Sequence, residues 1–201
     1  MKNRISYYLL WIVLISAFIG ISLDLYNKFV AGGFLCALST FKYFTLQSNL
    51  LVLVYASIVL FSKRLSKRGF VVFMKGPLTS YIALTGLVYL IILEPIYDLD
   101  GLERTASVFL HYVVPPLMFL WWISTEERRY SLRELPKWLL YPVLFMVWGL
   151  FLAVAKGDYL YPFFDVSKYG MFVTLYLLLV AIGFASLVVL LVFINNFYLK
   201  R

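Results

Sequence analysis

Residues 41–61 read FKYFTLQSNLLVLVYASIVLF. The stretch opens on polar side chains and then runs almost wholly apolar. At about 1.5 Å of rise per helical residue it is long enough to cross a hydrocarbon layer of about 30 Å. Five more apolar runs lie at Ile5 to Leu23, Gly76 to Leu93, Ala106 to Ile123, Trp138 to Ala155 and Gly170 to Tyr198. None shows the alternating segments of about ten residues that a membrane barrel requires. A helix satisfies its own backbone hydrogen bonds in lipid. The sequence therefore predicts an all-α integral membrane bundle of six transmembrane helices. No linker is long enough to divide it, so residues 1–201 read as a single six-helix transmembrane domain.

Composition closes off other classes. The chain is 63% hydrophobic and 14% charged, whereas soluble domains are roughly half apolar and about 25% charged. Disordered and fibrous chains are equally unlike it. With one histidine and one cysteine, neither an intrachain disulfide nor a Cys/His metal cluster can form. No metal and no cofactor is expected.

The first run follows Lys2 and Arg4. It exceeds the apolar part of a secretory signal, about 7 to 15 residues, and lacks a clear small-x-small cleavage site before Asp24, so it reads as a retained helix. With the N-terminus inside, thirteen of the 18 basic residues fall in the cytoplasmic stretches and seven of the ten acidic residues fall outside. That is the charge asymmetry that orients membrane helices, and it predicts that both termini are cytoplasmic. It also accounts for the net charge of +8 through contact with anionic lipid headgroups at the cytoplasmic face, without a nucleic-acid partner. The expected location is a multi-pass position in a membrane.

The informative residues are polar ones inside apolar runs, because burying them in lipid is costly. Thr45, Ser48 and Asn49 stand at i, i+3 and i+4 and share a helix face, while Gln47 points elsewhere. Hydrogen bonding between helices explains such a cluster as readily as function does. The only histidine, His111, precedes Pro115 and Pro116. These prolines deprive the carbonyls of His111 and Tyr112 of their helical donors, which predicts a kink. A desolvated imidazole favours its neutral form, which can accept a proton; a histidine bonded to a neighbouring helix is the plain alternative. Thr45 lies about 6 Å below Phe41, and His111 about 8 Å below Ala106, both counted from the outside. The two fall in one layer of the outer leaflet. If their helices are neighbours, a nucleophile and a base meet. Tyr161 and Asp165, in the loop after the fifth run, could shape a lipid entrance and orient His111. An aromatic anchor and a helix cap are the structural alternatives, and Asp24 and Glu94 are equally available as orienters.

These residues carry a resemblance. Phe41-Lys42-Tyr43-Phe44-Thr45, then His111 with Pro116, then Trp148, then Tyr161-Pro162-Phe163-Phe164-Asp165 resemble the androgen-induced-gene family of multi-spanning membrane proteins, in the same order. Its characterised animal members are threonine hydrolases of fatty-acid esters of hydroxy fatty acids. The resemblance implies that Thr45 is the nucleophile and His111 the base. Leu46-Gln47-Ser48-Asn49 is more polar than the animal pattern and looks like a bacterial branch, which leaves the substrate open and makes Ser48 a competing hydroxyl.

The expected function is an intramembrane lipid-ester hydrolase acting on a membrane lipid or fatty-acid ester near the outer leaflet. Asn49 would donate a hydrogen bond to oxyanion or substrate, with Gln47, Ser48, Tyr161 and Asp165 as further substrate contacts. The alternatives are a non-enzymatic lipid or small-molecule binder, such as a transporter subunit, and a purely structural membrane protein. Cys36 and the pair Ser16 and Gly20 leave the oligomeric state open.

Overall fold

The structure is a computed structural model that describes residues 4–199. It is 85% helical, and the described residues contain no strand. Six helices are long and apolar enough to span a membrane: Arg4–Lys42, Phe44–Phe61, Gly69–Leu93, Gly101–Thr125, Leu132–Lys156 and Phe172–Tyr198. The chain folds as two compact units, Met1–Glu126 and Glu127–Arg201.

The first unit contains α1 (Arg4–Ser39), α2 (Phe44–Phe61), α3 (Gly69–Val88), α4 (Gly101–Ser107) and α5 (Val114–Thr125). Helix α1 packs on α2, α4 and α5, and α3 packs on α2 and α5. Leu10, Val13 and Ala17 of α1, Val52 and Ala56 of α2, Ile82 of α3 and Met118 and Trp122 of α5 are buried between them. Large apolar side chains such as Ile12, Ile15, Phe18, Val54 and Leu87 stay exposed. Such a surface is unfavourable in water and suits hydrocarbon.

Helix α1 departs most from expectation. Instead of ending near Leu23 it continues to Ser39, with its backbone broken at Gly32 and at Gly33, where φ is +75°. The polar residues that read as a loop are helical because Asp24 and Lys28 sit one turn apart and Lys28 Nζ reaches Glu103 Oε1 on α4 at 2.8 Å. Cys36 accordingly lies in this extension. The third and fourth spans begin earlier than expected, at Gly69 and Gly101.

Two stretches widen into π-helix. Tyr89–Leu93 prolongs α3, and Val108–Val113 joins α4 to α5. The second stretch takes up the disturbance expected from Pro115 and Pro116. Val114 N–H reaches back five residues to the Phe109 carbonyl, and the prolines occupy the first positions of α5, where a missing N–H costs little. Two glycines let other helices approach this segment. A Cβ on Gly20 would stand 2.8 Å from Leu110, and one on Gly86 would stand 3.0 Å from the His111 carbonyl oxygen. Gly20, a possible helix-association residue from the sequence, thus packs within its own chain.

The second unit contains α6 (Leu135–Lys156), α7 (Val166–Tyr169) and α8 (Phe172–Tyr198), with α6 against α8. Asn195 Nδ2 donates to the Arg128 carbonyl at 2.8 Å. Asn196 accepts from Tyr130 N–H at 3.0 Å and donates to its carbonyl at 2.9 Å. These bonds tie the 128–130 segment to the end of α8. Phe164 fills the space over Gly149, where a Cβ would come within 2.7 Å of the ring.

Candidate active site

Thr45 is the second residue of α2. Its Oγ1 lies 3.3 Å from His111 Nε2, so the helices that carry the two residues are neighbours. Thr45 is only partly buried, whereas His111 is 8% exposed. The other ring nitrogen, Nδ1, lies 3.0 Å from the Ser107 carbonyl and 3.1 Å from the Ser107 hydroxyl. A carbonyl only accepts, so Nδ1 carries the ring proton and Nε2 presents its lone pair to the Thr45 hydroxyl. This is the hydrogen-bond polarity that a nucleophile and its general base require. The wide turn of Val108–Val113 contains His111; such π-turns recur at functional positions because they redirect side chains from the regular helical register.

Tyr89, on the other widened stretch, stacks on the imidazole with centroids 3.8 Å apart and planes 12° from parallel. It is 2% exposed and fixes the ring plane from the face. Ser107 holds the ring edge and Tyr89 its face. Neither residue was singled out by the sequence reading. Ser107 carried a signal, since it stands one turn before His111; Tyr89 carried none beyond being a tyrosine in an apolar run.

The remaining residues of the α2 cluster are placed as follows. Asn49 is fully buried, and its Nδ2 donates to the Thr45 carbonyl at 2.9 Å and to the Leu110 carbonyl at 3.3 Å. Its amide hydrogens thereby tie the backbone of the threonine to the residue before the histidine, and its Oδ1 is buried with no hydrogen-bond partner. Ser48, also fully buried, exchanges a 2.7 Å hydrogen bond with Thr85 of α3 and donates to the Thr45 carbonyl at 3.1 Å. Gln47 Nε2 donates to the Phe41 carbonyl at 2.8 Å and braces the turn Thr40–Lys42 ahead of α2.

Tyr161 and Asp165 belong to the second unit. Tyr161 stacks with Phe163 at 5.2 Å. Asp165 Oδ1 accepts from Ser167 Oγ at 2.6 Å and from Lys168 N–H at 2.9 Å, capping α7. Glu94 accepts from Arg104 at 2.7 Å. Among the described residues no group of three or more His, Cys, Asp or Glu side chains is placed to hold a metal ion.

No protein-family model, curated protein or solved structure matches this chain.

Proposed function

We propose that this chain is an intramembrane ester hydrolase with Thr45 as nucleophile and His111 as base, akin to the threonine hydrolases of the androgen-induced-gene family. The observation that carries the reading is the line from Thr45 Oγ1 to Nε2 at 3.3 Å, with Nδ1 anchored on the Ser107 carbonyl at 3.0 Å. A binding protein or a structural bundle needs neither a fixed tautomer nor a partly accessible hydroxyl aimed at its free nitrogen.

The reaction proceeds in two halves. Thr45 Oγ attacks the ester carbonyl carbon as its proton passes to Nε2. The tetrahedral oxyanion then collapses and the C–O bond to the alcohol breaks. The departing alkoxide takes the proton from Nε2, leaving an acyl ester on Thr45. Water attacks that ester and gives its proton to Nε2. Collapse releases the carboxylic acid, and the proton returns to the Thr45 oxygen. The oxyanion is stabilised by the start of α2. There the Thr45 and Leu46 amides precede the first residue with an acceptor one turn back, Gln47, whose N–H reaches the Tyr43 carbonyl at 3.2 Å. The positive end of the helix dipole adds to their effect. Asn49 holds the two halves of the dyad in register, since its amide hydrogens are engaged with backbone. No step needs a cofactor.

The substrate class is a fatty-acid ester presented from the outer leaflet of a bacterial cell membrane, with both termini in the cytoplasm. Lys63, Arg64, Lys67 and Arg68, between the second and third spans, would then meet anionic lipid headgroups on the inner face. The test is hydrolysis by purified protein in liposomes, with a fatty-acid ester of a hydroxy fatty acid and a simpler acyl ester. Thr45→Ala and His111→Ala should each reduce turnover by about 100-fold or more. Equal rates in wild type and both variants, across the esters, would overturn the assignment.

A further inference from the structure

The polar line through the dyad does not end at Ser107. Tyr89, flat against the imidazole, places its buried hydroxyl beside both Ser107 and Glu94 without completing a hydrogen bond to either. Glu94 follows the widened end of α3, and its Oε1 accepts from Arg104 of α4 at 2.7 Å while its Oε2 is buried. The Arg104 guanidinium also lies over the Tyr112 ring, 5.9 Å from its centre. A chain of polar groups therefore runs from the nucleophile to an ion pair: Thr45, His111, Ser107, Tyr89, Glu94, Arg104.

We propose that Glu94, held by Arg104, is a positioning residue for the His111 base, its negative charge favouring the doubly protonated imidazole that forms each time His111 takes a proton. The inference rests on the reading of His111 as base. Glu94, its side chain 26% exposed, then takes the part of the distant carboxylate of a triad, acting through space past the Tyr89 ring and not through a direct bond.

Two further observations bear on it. Arg104 holds the Glu94 carboxyl below the usual carboxylate range, so Glu94 stays charged at neutral pH. Other ionisable groups near this end of the unit include Asp24 and Lys28 on α1, Lys42 and Tyr43 just before α2, Tyr97, Asp98 and Asp100 between α3 and α4, Glu103 on α4 and Tyr112 beside His111. Lys28 and Glu103 pair with each other at 2.8 Å, whereas Glu94 N–H bonds to the carbonyl of Tyr89, whose ring lies flat on the imidazole.

The single histidine of the chain makes the test direct and independent of turnover. Full-length protein labelled with ¹⁵N histidine is titrated in detergent micelles, and the imidazole nitrogen shifts are followed in wild type, Glu94→Gln, Arg104→Gln and the double variant. Removing the negative charge should lower the midpoint and removing the positive charge should raise it, each by about half a pH unit or more. The double variant should stay below wild type, by less than Glu94→Gln alone, because the carboxylate stands nearer the imidazole than the guanidinium does. A merely structural role would move both single variants in the same direction. Same-sign shifts, or an Arg104→Gln midpoint that does not rise, overturn the proposal. If Glu94→Gln fails to fold, Arg104→Gln alone decides. Failure of the hydrolase reading would appear separately, as unaltered ester turnover in Thr45→Ala.

Discussion

The Ser107 carbonyl lies 3.0 Å from His111 Nδ1, one turn back along the same widened helix. A backbone acceptor thus does what a carboxylate does in many serine hydrolases, fixing the tautomer and the direction of the ring. Because the carbonyl is backbone, the Ser107 hydroxyl, at 3.1 Å, is secondary. Ser107→Ala should cost about 1 kcal/mol of transition-state stabilisation, close to a five-fold fall in kcat/KM. A loss of 100-fold or more in steady-state ester kinetics would place the anchoring function in the hydroxyl instead.

Asn49 is the strut between the two halves of the dyad, with one amide nitrogen reaching Thr45 and Leu110 carbonyls. Asn49→Ala should lower stability by about 1–2 kcal/mol and reduce turnover by misplacing Thr45. Asn49→Asp should be at least as harmful, since a carboxylate facing two carbonyls repels where the amide donated. Thermal unfolding in detergent, run beside ester turnover, checks both. Wild-type stability in Asn49→Asp would contradict this role.

Gly86 allows α3 to touch the histidine turn. Its missing Cβ would lie 3.0 Å from the His111 carbonyl and 3.2 Å from Pro115, so Gly86→Ala must push that turn away. The cost should be about 1–3 kcal/mol, with at least a ten-fold loss of turnover. Gly183 has nothing within 4 Å of the same position, so Gly183→Ala serves as a control that should leave both quantities unchanged.

The Asp165 cap is a pH-dependent element of the second unit. The Ser167 hydroxyl and the Lys168 amide hold its carboxyl below the usual carboxylate range. A carboxylate lowered on folding stabilises above its unfolded pKa, about 3.9, and loses that contribution as pH falls through the lower folded value. Hydrogen exchange at 166–169 should therefore show protection that weakens in that acid window. Asp165→Ala should abolish the pH dependence there.

Much of this arrangement was legible in the sequence, and the reasons are specific. Hydropathy locates a lipid crossing well because every residue of a span contributes to it, so all six spans were found near their places. It locates the ends poorly. Asp24 and Lys28 read as loop although they prolong α1, held by a pair with Glu103 that only tertiary structure reveals. Thr45 and His111 were legible because a polar group in lipid has few reasons to be there, and counting the helical rise put both at one depth. The widened turns at Tyr89–Leu93 and Val108–Val113 were not legible. They are local departures of the backbone that hydropathy does not encode, and Tyr89 sits on one while His111 sits on the other. For the same reason Asn49 was expected to donate to substrate, whereas its donors turn to the Thr45 and Leu110 carbonyls.

In the proposed reaction Thr45 carries the acyl group. The most direct measurement uses a p-nitrophenyl fatty-acid ester, rapid acid quenching and peptide mass spectrometry of purified protein. One acyl addition is expected on the peptide containing Thr45, localised to that residue, absent in Thr45→Ala and strongly reduced in His111→Ala. An acyl group on Ser48, or turnover with no covalent adduct in a wild-type protein quenched during its first cycle, would contradict it.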